Sequence, residues 1–293
     1  MSDRVTVAVR VRPWTKGDSS TRRCTVRVDG TAAELLDPQT GNRRAHFAFD
    51  HVFSSLATDD AQAEQAAVFD ALAPPLLDSA LDGYNVTVFA YGQTASGKSY
   101  TMHGEPEAPG FTPRFVSSLF AACEATQRAD PRADFAVEAS FMEIYMENIR
   151  DLLQPAQRSH GGGGGAHGRA HSSLRVREHP RTGPYVEDLS KIACRTSAQV
   201  ATLLEHGSSM RAVRATHMNA ASSRSHAIFT LRLTQRRPRA EAEGAQGPGA
   251  GAQGAGAAGA AADDALEIAS SVHLVDLAGS ERAKRTGTAP LQV

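Results

Sequence analysis

Cysteine is scarce in this chain. Its three cysteines, Cys24, Cys123 and Cys194, are widely spaced and odd in number, which argues against a disulfide framework or a zinc site. They fit a reducing compartment and read as packing residues. Excess charge is also lacking: 31 Lys and Arg stand against 32 Asp and Glu, a formal charge of -1, so the whole chain has no bias toward nucleic acid or an anionic membrane. No signal peptide opens it, and no uncharged apolar run approaches the ~20 residues that a membrane span needs. The expectation is a cytosolic protein with no direct membrane contact.

What is present is a globular composition, 41% hydrophobic over 293 residues. That length suffices for one large α/β domain burying roughly 75% of its unfolded surface, or for two smaller ones. Val5 to Arg12 reads as a strand ended by Pro13, and His46 to Phe53 as an aromatic-rich segment; both are expected to feed a central sheet. From Ala61 to Leu81, Val68, Phe69, Leu72, Leu76, Leu77 and Leu81 recur at helical spacing. Pro74 and Pro75 must kink or restart that helix, and Gly83 closes it. Glu105 to Gly110 is a Pro- and Gly-containing excursion, after which Thr112 and Pro113 look like an N-cap and first helical position. Phe135, Val137, Ala139 and Phe141 alternate with polar or small residues as in a strand, and Thr196 with Gln199 suggests a capping box. Strands and helices alternate throughout, as in α/β folds.

Two tracts, 159–172 rich in Gly and His and 238–262 rich in Gly and Ala, bury too little apolar surface to offset their chain entropy and read as disordered insertions. Glycine-flanked His160, His167 and His171 lack the preorganised geometry of a metal site.

The eight residues Gly92, Gln93, Thr94, Ala95, Ser96, Gly97, Lys98 and Ser99 fit the pattern G-x-x-x-x-G-K-S/T at every defined position. Before them Asn85 to Tyr91 reads as a buried strand, and from Lys98 the chain can open a helix, the order this loop requires. A glycine-rich turn lets backbone N–H groups approach a triphosphate closely. Lys98 would reach the β and γ phosphates, and Ser99 would offer its hydroxyl to a bridging magnesium ion. Far downstream, Asp276 ends the apolar strand Val272 to Val275 and can hold the same ion through water, on the opposite side from Ser99. Gly279 lets the backbone come close to a γ-phosphate. Ser222, Ser223 and Ser225 carry short hydroxyls suited to phosphate oxygens, magnesium and an attacking water.

Together, Arg10-Val-Arg-Pro13, the phosphate loop, Asn219-Ala-Ala-Ser-Ser-Arg-Ser-His226 and Asp276-Leu-Ala-Gly-Ser-Glu281 resemble the kinesin motor domain, with its switch I and switch II motifs in the expected order. Phe141 to Tyr145 and Asp151 to Leu153 extend the resemblance, and Gly183 to Lys191 looks like the vesicle-transporting kinesin-three subfamily. The resemblance implies an α/β fold of the P-loop NTPase type, a central mixed β-sheet flanked by helices. It implies an ATPase stimulated by microtubules, with ATP and Mg2+ as ligands, tubulin as partner, and a place in the cytoplasm on the microtubule cytoskeleton. Catalysis would fall to Ser222, Ser223, Arg224, Gly279 and Glu281, with Arg224 pairing with Glu281 when ATP closes the site. Ser99, Ser223 and Asp276 would serve the metal, and Asn219 and Ser225 the nucleotide. Arg10, Arg12 and Pro13 on one side and Tyr100 on the other would cover the adenine faces. The hairpin from Arg181 to Lys191 lies where the family has a tubulin-facing loop.

The sequence ends at Val293, shortly after switch II, and Thr288 to Val293 drift from the family pattern. By the same resemblance the sheet is expected to be incomplete at its C-terminus, lacking the main tubulin-binding helix and the neck linker. A non-motile nucleotide-binding fragment is the alternative, and co-sedimentation with microtubules separates the two. A GTPase-like switch fits poorly, because the Asn219 to His226 block has no role there and no N-K-x-D guanine reader occurs.

Overall fold

Inward-facing apolar side chains at every second position organise the long strands of the computed structural model and decide which side of them the helices cover. The structure describes residues 5–13, 24–55, 60–154, 173–180, 183–217, 224–238 and 265–281. In chain order come β1 (Ala8–Val11), β2 (Val26–Asp29), β3 (Ala32–Leu36), β4 (Arg43–Ala48), β5 (His51–Ser54) and α1 (Ala61–Leu81). Next are β6 (Val86–Ala90), α2 (Lys98–Met102), β7 (Gly104–Glu105), β8 (Ala108–Pro109), α3 (Phe111–Ala129), β9 (Asp134–Tyr145) and β10 (Asn148–Asp151). β11 (Val176–His179), β12 (Gly183–Val186), β13 (Ile192–Cys194), α4 (Ser197–His217), β14 (Ser225–Pro238) and β15 (Ala265–Asp276) follow.

The order β10-β9-β14-β15-β6, with β13 also on β9, makes a six-stranded sheet. Only β6 and β15 run parallel within it, so the sheet is mixed. Val137, Ala139 and Phe141 of β9, Phe229, Leu231 and Leu233 of β14, and Val272 and Leu274 of β15 are buried in one cluster with side chains of α1, α3 and α4. α4 sits so close that a Cβ on Gly207 would overlap the Phe141 ring. The end of α1 is fixed by Ser270 Oγ donating to Ala80 O and Gln235 Nε2 to Leu81 O, both at 2.7 Å. The opposite face is more open, with Phe89 56% exposed. The expected α/β architecture is present.

Several local expectations change. Neither expected strand enters the central sheet: His46 to Phe53 breaks at Phe49 and Asp50, where β4 pairs with β3, and β5 pairs in parallel with β1, from the Val5 to Arg12 segment, as a separate two-stranded sheet. Asp50 turns the chain there, its carboxylate accepting from Val7 N at 2.9 Å. Helix α1 continues through Pro74 and Pro75 without restarting, and begins from an Asp60 cap that accepts from Ala63 N at 2.9 Å. The excursion after the phosphate loop is the β7–β8 hairpin, and its tight closure at Gly104 and Gly110 delivers the chain to α3 at Phe111, so Gly110 rather than Thr112 is the N-cap. The capping box at α4 forms, but the Gln199 side chain accepts from Arg195 N, at 2.7 Å, one residue before the expected donor. Cys123 and Cys194 are packing residues and Cys24 is exposed. The tract at 159–172 lies outside the described residues. Pro238 still belongs to β14, opposite Ala265, so the second tract leaves and returns at the tip of one hairpin.

β2, β3 and β4 form a separate antiparallel sheet around Glu34. Its carboxylate accepts from Arg43 at 3.0 Å and from Arg27 Nε at 2.7 Å, and these two guanidiniums hold it at about 2 instead of the ordinary 4.5. The folded carboxyl ionises at lower pH than the unfolded one. The pairs therefore stabilise fully above about pH 4.5, and their contribution is lost as pH falls toward about 2. Glu34→Gln is expected to flatten the acid dependence of thermal unfolding in that window, and curves parallel to wild type would contradict the assignment.

Candidate functional site

Parallel pairing of β6 and β15 puts the C-terminal ends of both strands at the same edge, with Asp276 directly opposite Ala90. Two loops leave that edge side by side. The first, Tyr91 to Gly97, carries the glycine-rich motif into α2. Gly97 has φ +96°, a conformation that L side chains rarely adopt, and it opens α2 as its N-cap. α2 is only five residues long, so its dipole is slight and the anion-binding character of the loop rests on backbone N–H groups and Lys98. Lys98 Nζ donates to the carbonyls of Gly92 and Gln93, at 2.9 Å each.

The second loop, Leu277 to Glu281, is laid against the first. Leu277 N donates to Ala90 O at 3.3 Å and Ser280 N to Gly92 O at 3.1 Å. Glu281 reaches across to Thr94, accepting from its backbone N at 2.9 Å and from its hydroxyl. That hydroxyl is the main reason the Glu281 carboxyl lies below its ordinary range. Gly279 is required where the loops meet, since a Cβ there would overlap the Glu281 carboxylate and the Thr94 hydroxyl. His226, just inside β14, steadies the same loop by accepting from Ala278 N at 3.1 Å.

At the centre, Ser99 Oγ donates to Asp276 Oδ2 at 2.6 Å. The two residues are in direct contact rather than facing each other across an ion. Asp276 is 1% exposed at its side chain and its Oδ1 has no hydrogen-bond partner among the described residues. A buried, unpartnered carboxylate oxygen beside a hydroxyl is a hard oxygen donor set that suits Mg2+.

Sequence reasoning missed two charged groups here. Arg211 of α4 donates to Asp276 Oδ2 at 2.7 Å and to the Ser225 carbonyl at 3.2 Å, and its Nε lies 3.8 Å from Glu143. Both left a trace in the pattern: Glu143 continues the inward register of Val137, Ala139 and Phe141, and Arg211 continues the buried stripe of Val200, Leu204 and Gly207. A cleft of about 470 Å³ flanks this cluster on the α4 side, lined by Ser99, Tyr100, His103, Phe141, Ser208 and Arg211, so it reaches the end of the glycine-rich motif. His103 is pushed below its ordinary value chiefly by burial, which keeps the imidazole neutral.

Other predicted residues are placed differently. Arg10 does not stand across a base-sized gap from Tyr100; its guanidinium lies 5.1 Å from the centre of that ring, less than the ~7 Å that two stacking contacts need. The reason is an internal demand on its charge: Arg10 pairs with Glu64 at 3.2 Å and donates to Gln65 at 2.8 Å and Thr101 at 3.1 Å. Arg12 donates to Pro13 O at 2.9 Å, and Pro13 is exposed. Arg224 is exposed and makes no ion pair with Glu281, which is held by Thr94 instead. Ser225 is fully buried. Asn219, Ser222 and Ser223 lie outside the described residues, as does Arg181. The hairpin expected at Arg181 to Lys191 is built by β11 and β12 and ends at Val186, leaving Lys191 exposed beyond it.

Residues 10–292 match the kinesin motor domain as a family. The kinesin-like protein unc-104 of Caenorhabditis elegans is 40% identical over 290 residues, covering 97% of this chain and 16% of that protein. Human kinesin-like protein KIF1C is 40% identical over 289 residues, covering 97% and 23%. The chain thus spans less than a quarter of the length of these relatives. Among solved structures, a KIF14 dimer with AMP-PNP in complex with a microtubule aligns with TM-score 0.76 and 37% identity, over 99% of this chain and 72% of that one.

Proposed function

The chain belongs to the kinesin motor domain family, and from that premise we propose that it is the nucleotide core of a microtubule-stimulated ATPase motor. The observation that carries the reading is the direct meeting of the two loops, Ser99 with Asp276 at 2.6 Å and Thr94 with Glu281 at 2.9 Å, at the edge shared by β6 and β15. Contacts of this kind make the position of the second loop depend on what occupies the first.

ATP binding turns Lys98 from the carbonyls of Gly92 and Gln93 toward the β and γ phosphates, where backbone N–H groups of the loop also donate. Ser99, Ser223 and Asp276 would hold Mg2+, which when bound would supply charge neutralisation to the phosphates. Glu281 leaves Thr94, so that a phosphate oxygen takes over the Thr94 N–H, and meets Arg224. That pair, with Ser222, orients the water that attacks in line. Gly279 supplies close backbone approach to the γ-phosphate. Asn219 and Ser225 would line the phosphates, while Arg12, Pro13 and Tyr100 would hold the adenine, with the Arg10 guanidinium 5.1 Å from the centre of the Tyr100 ring.

The test is co-sedimentation with taxol-stabilised microtubules. We expect the protein to pellet with them in a non-hydrolysable ATP analogue, to release in ADP, and to hydrolyse ATP faster when microtubules are added. ATP binding without microtubule binding would favour a non-motile nucleotide-binding role, and absence of ATP binding would overturn both.

A further inference from the structure

Helix α1 carries an amide where its periodicity calls for an apolar residue. Gln65 shares the buried side of the helix with Val68 and Ala73, and it is among the largest fully buried side chains of the protein. A buried amide is tolerated only where its donors and acceptor are met. Here they are met by three elements: Oε1 accepts from Arg10 Nη1 of β1 at 2.8 Å, while Nε2 donates to the Tyr100 carbonyl of α2 at 2.8 Å and to the Ala108 carbonyl of β8 at 3.5 Å. One end must accept and the other donate, so no apolar or charged side chain of the same size reproduces the set.

Two of these contacts converge on one ring. The last four carbonyls of a helix lack intrahelical partners, and in the five-residue α2 these include that of Tyr100, which Gln65 satisfies from outside. The ring itself is met on its face by the Arg10 guanidinium, 5.1 Å from its centre. That guanidinium is aimed by Gln65, with Thr101 and Glu64 taking further donors at 3.1 and 3.2 Å. One amide therefore sets both the backbone of Tyr100 and the cation that covers one face of its ring. A base that stacks on Tyr100 has to use the opposite face, and its placement relative to the phosphate loop follows from where that ring is held.

We propose that Gln65 is a positioning residue for the base of the nucleotide: it holds the Tyr100 ring in place for stacking and leaves phosphate binding unaltered. The proposal rests on the reading that Tyr100 covers the adenine, and adds the residue that decides how firmly it does so. A buried amide that only supports the fold would weaken base and phosphate binding alike, or neither.

The experiment compares ADP with inorganic pyrophosphate, which offers two phosphates without ribose or base. Each displaces a fluorescent ADP from the whole chain in the presence of Mg2+, and the ratio of the two affinities is the readout. It is measured for wild type, Tyr100→Ala, Gln65→Met, the double variant of these two, and Gln235→Met, with thermal unfolding of each protein. Gln235 is the control, because its amide is also fully buried but donates to Leu81 O at 2.7 Å, at the other end of α1.

We expect Tyr100→Ala to lower the ratio by about 5- to 150-fold, the worth of one base stacked on one ring. Gln65→Met should lower it by roughly 3- to 30-fold, with the pyrophosphate affinity within about twofold of wild type. In the double variant the ratio should match that of Tyr100→Ala alone, since a residue that acts through a ring has nothing to position once the ring is gone. Gln235→Met should lose stability and keep the wild-type ratio.

A wild-type ratio in Gln65→Met, an equal fall in both of its affinities, losses that add in the double variant, or the same fall in Gln235→Met overturns the proposal. If Gln65→Met lacks a cooperative transition, Gln65→Glu takes its place: it retains an acceptor for Arg10 and loses the donor to Tyr100, so the ratio should again fall. A wild-type ratio in Gln65→Glu, or its failure to fold, leaves Gln65 as a core residue and overturns the proposal as well. A wild-type ratio in Tyr100→Ala refutes stacking on Tyr100, and wild type that binds neither ligand refutes the nucleotide site, each a result distinct from a failure of Gln65 to position the ring.

Discussion

Lys98→Ala is expected to lower ATP affinity by roughly 100- to 10,000-fold, since the side chain would make two charge-assisted hydrogen bonds to phosphate, each worth about 1.5–3 kcal/mol. Without nucleotide the ammonium is occupied locally, by the carbonyls of Gly92 and Gln93 at 2.9 Å each. Those contacts tie two turns of the same loop together but anchor no distant element. Both carbonyls can turn to water once Lys98 is gone, so the loss of unliganded stability should be small, on the order of 1 kcal/mol. Affinity and stability are therefore predicted to separate. Titration calorimetry with ATP and Mg2+ measures the first, and thermal unfolding without nucleotide the second. Wild-type affinity in the variant would show that the loop is not a phosphate cradle.

What could be read without coordinates was local. Gly92 to Ser99 is legible because its chemistry depends on residues within one turn of chain, and the strand from Phe135 to Phe141 because its alternation is itself the burial pattern. Asp276 was legible as the last residue of an apolar strand. Its neighbours were not: Arg211 is 65 positions away and Glu143 more than a hundred, and their elements meet only through the pairing of β9 with β14 and of β14 with β15 and the packing of α4 against β9. Arg10 shows the converse failure. An arginine three residues before a strand-ending proline is expected to cover a face of the adenine, but Glu64 and Gln65, placed by α1, turn its guanidinium inward. The two prolines of α1 misled for an energetic reason. Each removes one N–H from the helix, and burial of Ala73 and Ala80 against the sheet keeps the helix continuous despite that loss.

Glu281→Ala carries the second large effect, and its sign differs between binding and turnover. In the folded chain the Glu281 carboxylate already sits on the Thr94 N–H, the position that a phosphate oxygen must take when ATP enters. Removing the carboxylate removes that competitor, so ATP affinity should stay at the wild-type value or rise. Hydrolysis should behave in the opposite way. With Arg224 deprived of its partner, the attacking water loses the pair that orients it, and loss of one such preorganised group typically costs about 100- to 1,000-fold in rate. On Thr94 the carboxyl is held below the ordinary glutamate range chiefly by the Thr94 hydroxyl, and once it leaves Thr94 an ordinary glutamate carboxyl is still ionised at neutral pH, so it is suited to accept hydrogen bonds from Arg224 and water rather than to donate a proton. Single-turnover hydrolysis by chemical quench, with fluorescent-ATP binding measured on the same samples, separates the two steps. A wild-type hydrolysis rate in Glu281→Ala would sink the switch assignment, whereas equal losses in binding and turnover would mean that the carboxylate supports the phosphate loop rather than the reaction.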